Sequence, residues 1–129
     1  MLRACHRVLK PGGRIGYYNI FIAEHLPAAR RRALDKEGFA ETYTPARQQG
    51  LLRSAGFTNI RETDVTAEYL RIVRAFEVAY KRHERSRRRS LGAKLFDERK
   101  RRRERTIAGL EAGEIRRSLF LAERPARRA

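Results

Sequence analysis

Arg7-Val8-Leu9-Lys10-Pro11-Gly12-Gly13-Arg14-Ile15-Gly16-Tyr17-Tyr18-Asn19-Ile20-Phe21 is the stretch that decides how this chain folds. Leu2, Cys5 or His6, and Leu9 recur at helical spacing, and Pro11-Gly12-Gly13 ends the helix, because glycine tolerates the left-handed backbone of a C-terminal cap. Isolated helices shorter than about 12 residues are marginal, so residues 2–9 read as the last turns of a longer helix. Beyond the turn, residues 13–21 are apolar at both odd and even positions, the pattern of a strand covered on both faces. Such a strand needs neighbours on both edges, since an unpaired row of backbone groups invites association.

Working outward, Arg30 to Arg32 sit in a polar, arginine-rich stretch to which no element is assigned. Thr44-Pro45 is a helix start, threonine as N-cap and proline at the first helical position. A helix is expected over 45–55, with Leu51 and Leu52 facing inward and Gly56 closing it. A second strand is expected over 59–66, weakened by Arg61, Glu62 and Asp64. From Ala67 the residues Tyr69, Ile72, Val73, Phe76 and Tyr80 fall on one stripe, so a helix with one buried face is expected there. It opens a helical insert over 67–113. A third strand is expected over 116–123, with Leu119 and Leu121 on one face and Ser118, Phe120 and Ala122 on the other. Residues 125–129 are expected to fray. The order of elements is mixed α/β, with too few strands to enclose the first one.

The formal net charge of +16 at pH 7 directs attention to nucleic acid or an anionic surface. Five of the 31 basic residues are lysine, and an arginine bias this strong is better explained by a GC-rich coding sequence. Phosphate-backbone binding is therefore not expected. Residues 81–105 hold 13 basic and 4 acidic side chains, most of the excess charge. Cys5 is the single cysteine, which excludes an intrachain disulfide. No stretch reads as a signal peptide or a membrane span, and a reducing cytoplasm is the expected location. His6, His25 and His83 are far apart, without the spacing of metal ligands, and no metal site is expected.

Arg7 to Arg14 resembles the RVLKPGG(R/K) signature that precedes the fifth strand of class I S-adenosylmethionine-dependent methyltransferases. Leu51-Leu52-Arg53-Ser54-Ala55-Gly56-Phe57 resembles the segment leading into that family's sixth strand. Arg117-Ser118-Leu119-Phe120-Leu121-Ala122-Glu123-Arg124-Pro125 is similar to its seventh, which lies antiparallel between the fifth and sixth. The resemblance implies the C-terminal part of a Rossmann-like sheet, parallel strands plus one antiparallel strand, with a long helical insert. S-adenosylmethionine is the implied cofactor of the complete enzyme. The glycine-rich turn after the first strand and the acidic residue after the second are missing, so this chain alone is expected to bind no donor and to be inactive. The resemblance places Met1 inside a family helix, which suggests an internal start or a truncated gene.

The implied acceptor is a small molecule. Tyr18, Asn19 and Phe21, at the carboxyl end of the first strand, would border its pocket, though aromatics there also pack against helices. His25 is a candidate general base because imidazole titrates near neutrality, but a lone loop histidine is usually just solvated. Tyr69, Phe76, Tyr80 and His83 would line an acceptor cap, against a reading as plain core. Arg87 to Arg89 and Arg99 to Arg103 read as a solvated helix face, with an anion clamp as the other reading. Two further functions stay open: an arginine-rich nucleic-acid-binding module, and a half-domain completed by a partner chain, including self-association through an exposed sheet edge.

Overall fold

The computed structural model describes residues 1–39 and 44–128. Its elements are α1 (Leu2–Val8), β1 (Arg14–Ile22), α2 (Ala28–Leu34), α3 (Pro45–Ser54), β2 (Thr58–Asp64), α4 (Thr66–Arg82), α5 (Glu84–Leu91), α6 (Ala93–Glu111) and β3 (Ile115–Glu123). They fall into two compact units, one of Met1–Val65 with Arg116–Ala129, the other of Thr66–Ile115. Ala129, at the end of the stretch expected to fray, lies outside the described residues.

In the first unit, Lys10-Pro11-Gly12-Gly13 turns α1 into β1. Gly12 takes φ 78°, a left-handed backbone that a Cβ would strain. The three strands lie in the order β1-β3-β2, so the strand latest in sequence is the middle one. β3 pairs antiparallel with β2 in a register that sets Glu62 opposite Phe120 and Asp64 opposite Ser118. At the other edge, Gly12 N–H donates to the Arg124 carbonyl (2.9 Å) and Arg124 N–H to the Gly13 carbonyl (2.8 Å), so β1 also runs antiparallel to β3. The sheet is therefore antiparallel throughout. β1 and β2 share a direction without touching, and the expected parallel neighbours are not found within it.

Its core gathers Leu52, Phe57, Phe120 and Ala122, with Leu2, Cys5, Leu9, Ile15, Tyr17, Ala55 and Ile60 packed around them. Ser118, Phe120 and Ala122 are buried along one face of β3, as the alternation predicts. α3 begins at Thr44, whose side chain accepts from Arg47 N–H, and ends with Gly56 at φ 96°. The Arg124 guanidinium donates to the carbonyls of His6, Arg7 and Leu9, supplying partners that the end of a helix otherwise lacks.

Two expectations need correction here. β1 is covered on both faces only toward its carboxyl end, where Asn19 and Phe21 are buried and Ile20 and Ile22 half-buried. Earlier in the strand, Arg14, Gly16 and Tyr18 are exposed, Tyr18 by 57%. Apolarity on both faces specifies what a strand can bury, and the layer that would cover this half is not among the described residues of the unit. The arginine-rich stretch, left without an element, forms α2, which buries Leu34.

The second unit holds α4, α5 and α6, with Val73, Phe96, Leu110 and Ile115 buried. Gly109 in α6 is buried where an added Cβ would stand 2.5 Å from Ile115 Cδ1. The expectation of a buried face on α4 also needs correction. Only Val73 of the stripe is buried; Ile72 and Phe76 are exposed, Phe76 by 53%, and Tyr69 and Tyr80 are half-buried. The helices gather around Phe96 and Leu110 of α6, and the α4 stripe walls an open groove instead.

Candidate functional site

Two groups of side chains have the geometry of a site, one in each unit. In the first, the alternation of β1 points Tyr17 and Asn19 to the face covered by α3, where Gln48 lies between them. Tyr17 Oη donates to Gln48 Oε1 (2.9 Å), and Gln48 Nε2 donates to Asn19 Oδ1 (3.2 Å). The Tyr17 ring stacks on Phe120 with centroids 5.5 Å apart. Burial pushes the Tyr17 hydroxyl above its ordinary pKa, because the phenolate loses solvation there. Tyr17, Tyr18, Asn19 and Gln48 line an open cavity of about 660 Å³ together with Leu2, Arg3, Leu51 and Ala55.

The other first-unit candidates disperse around this chain of hydrogen bonds. Tyr18 stands on the opposite face of β1, with the Arg117 guanidinium 3.8 Å over its ring. Phe21 is a buried core side chain, and His25 is exposed in the loop after β1. Gln48 escaped the sequence reading because one of two adjacent glutamines in a ten-residue helix carries no pattern.

An expected result follows from the raised Tyr17 pKa. A group protonated more readily in the folded state contributes stability that is fully present below the unfolded pKa of 10.0. That contribution is lost as pH rises through the folded value. Tyr17→Phe should cost about 1 kcal/mol at neutral pH through the lost hydrogen bond. Its denaturation midpoint should also fall less than the parent's above pH 10, and parallel midpoint-against-pH curves for the two proteins would refute this account.

In the second unit, the structure brings Tyr69, Phe76 and Tyr80 together along one wall of a groove of about 360 Å³. Ile72 and Val73 complete that wall, and Arg87 of α5 with Arg99, Arg102, Arg103 and Thr106 of α6 form the rest. The Phe76 and Tyr80 rings stack, their centroids 6.0 Å apart. Arg87 and Arg103 both lie over the Tyr80 ring, at 4.0 and 4.4 Å. His83 is outside this lining, exposed at the start of α5. The arginine run is thus not simply a solvated face.

Among the described residues, no group of three histidine, cysteine or acidic side chains could hold a metal, and no helix is long and apolar enough to cross a membrane. The residues present do not fit a donor-binding loop. Gly12 and Gly13, the only adjacent glycines, spend their amides within the fold: Gly12 N–H on Arg124 and Gly13 N–H on the Lys10 carbonyl (2.8 Å). Neither is free to cradle a ligand.

No family model matches the chain, and no curated protein matches it. Solved structures do. A Haemonchus contortus phosphoethanolamine N-methyltransferase 2, solved with S-adenosyl-L-methionine, superposes with a TM-score of 0.81 at 12% identity, over 96% of this chain and 29% of that one. A Galdieria sulphuraria protein described as a sarcosine dimethylglycine methyltransferase gives 0.81 at 16% identity, over 98% and 47%. A Mycobacterium tuberculosis cyclopropane synthase gives 0.79 at 15% identity, over 95% and 48%. This chain spans less than half the length of each. With the motif order, the central antiparallel strand and these superpositions in agreement, the chain has the fold of part of an S-adenosylmethionine-dependent methyltransferase.

Proposed function

We propose that this chain is the acceptor-side part of a methyltransferase that methylates a small molecule, inactive without the strands that bind the donor. The observation that carries the reading is the sheet order β1-β3-β2 with an antiparallel middle strand, superposing almost the whole chain on methyltransferases. In the complete sheet a further strand runs parallel to β1 along its free edge, and a covering layer packs on the face of β1 that Arg14, Gly16 and Tyr18 expose here. S-adenosylmethionine supplies an already reactive methyl group, so the protein's main task is positioning rather than acid-base chemistry. Asn19, fixed by Gln48 at the carboxyl end of β1, and the Tyr69–Phe76–Tyr80 wall are the acceptor-side groups of this reading. His25 follows that end of the strand and Phe21 supports it by packing, while Tyr18 joins the reading from the middle of β1.

Calorimetry tests the proposal. The 129-residue chain should show no binding of S-adenosylmethionine, and the chain extended by the sequence encoded in frame upstream should bind it at micromolar concentration and transfer its methyl group. A micromolar dissociation constant for the chain alone would overturn the reading. So would an extended protein that neither binds the donor nor methylates any small molecule. The free edge of β1 also offers self-association, which size-exclusion chromatography separates: a well-behaved monomer counts against it.

A further inference from the structure

We propose that the groove of the second unit binds a small anionic amphiphile, an apolar or aromatic body carrying a phosphate or carboxylate. The inference rests on reading this unit as the acceptor side and names the class of acceptor. Three observations carry it. The apolar wall is left open where a helix stripe of this kind is ordinarily packed: Ile72 and Phe76 are exposed and Tyr69 and Tyr80 only half-buried. The opposite wall is entirely cationic in its charged groups, since Arg87, Arg99, Arg102 and Arg103 line the groove and no carboxylate does. Four acids of the unit are paired outside the groove, Glu77 with Lys81, Glu84 with Arg88, Asp97 with Arg88 and Glu111 with Arg74.

Arg87 and Arg103 sharpen the case. Both guanidiniums sit within 4.4 Å of the centroid of one ring, Tyr80, so two like charges are gathered on a single aromatic. Their Nε atoms are buried, and neither has a hydrogen-bond partner among the described residues. Cation–π contact offsets part of the repulsion between them, but it supplies no acceptor for the N–H groups. An anion would offset the rest of that repulsion by accepting from the terminal Nη groups, and arginine's planar fork suits phosphate and carboxylate oxygens. The aromatic wall would hold the apolar body, as in small-ligand pockets of about this volume. A long polyanion would use the outer arginines and leave that wall without a role.

The test is binding to the 129-residue chain, measured by calorimetry with four probes that share one ring system: 1-naphthyl phosphate, 1-naphthoate, 1-naphthol and 1-naphthylmethylamine. The anions should bind about tenfold or more tighter than the alcohol, and the amine weakest. Arg99→Gln with Arg102→Gln, exposed side chains whose loss leaves the helix packing intact, should weaken naphthyl phosphate about tenfold, while Arg101→Gln leaves it unchanged. Arg87→Gln with Arg103→Gln should weaken it further, and Tyr80→Leu should weaken the anions and the alcohol together. Equal binding of alcohol and anions overturns the proposal. Inorganic phosphate binding as tightly as naphthyl phosphate overturns it too, as does a chain that binds a short oligonucleotide but none of the probes. Donor binding by the extended protein reports on the methyltransferase reading separately, so either can fail while the other stands.

Discussion

Phe120→Ala should lower the unfolding free energy of the first unit by about 3–5 kcal/mol, a large share of the roughly 5–15 kcal/mol that a domain has to lose. Phe120 is 0% exposed, sits on the middle strand, and packs among Leu52, Phe57 and Ala122 with the Tyr17 ring stacked on it. Truncation removes the apolar contacts and leaves a cavity between strand and helix that neither can fill without breaking backbone pairing. Phe120→Leu retains most of the volume and should cost less than half as much. Urea denaturation followed by tyrosine fluorescence is a suitable measurement, since the chain has no tryptophan and Tyr17 reports on this contact. A loss below about 1 kcal/mol would mean that the core does not centre on β3.

Gly109→Val should destabilise the second unit by about 3 kcal/mol. Glycine inside a helix normally costs about 1 kcal/mol relative to alanine, so its presence in α6 calls for a reason. The reason is Ile115, 1% exposed, whose Cδ1 and Cγ1 would stand 2.5 and 2.9 Å from a Cβ at position 109. The isoleucine is buried and β-branched, so it has no free rotamer into which to retreat. If this contact is the cause, the double variant Gly109→Val with Ile115→Ala should be more stable than the sum of the single losses predicts, by about 2 kcal/mol. Strict additivity in thermal unfolding would place the strain elsewhere.

How much of this was legible in the sequence depends on how local the determining physics is. Pro11-Gly12-Gly13 and Thr44-Pro45 announce turns through backbone chemistry of their own, and the structure places a turn and a helix start at those positions. The alternation of Ser118, Phe120 and Ala122 reports burial directly because β3 is covered on that face. α2 was not legible, since a seven-residue helix burying only Leu34 has no period to detect. The α4 stripe misled for a different reason. Helical spacing shows which residues share a face, and only tertiary packing decides whether that face is covered. The Tyr17–Gln48–Asn19 chain and the stacking of Arg87 and Arg103 on Tyr80 depend on how separate elements cross, which residue spacing does not encode.

The place of β3 in the sheet has a consequence in time. β1 and β2 cannot pair with each other; each waits for a strand that begins at Ile115, about a hundred residues after β1 begins at Arg14. At about 5–20 residues per second of synthesis, β1 leaves the ribosome roughly 5–20 s before its partner exists. Through that interval the edge of β1 that β3 will take stays open, and the hydrogen bond from Arg124 to His6 spans 118 positions of chain. Contacts this distant in sequence form slowly, because the intervening loop must close before they reward it. The helices of residues 66–111 need no such wait, so the nascent chain holds a helical unit ahead of its sheet, with β1 open to capture by a chaperone or by another copy of itself.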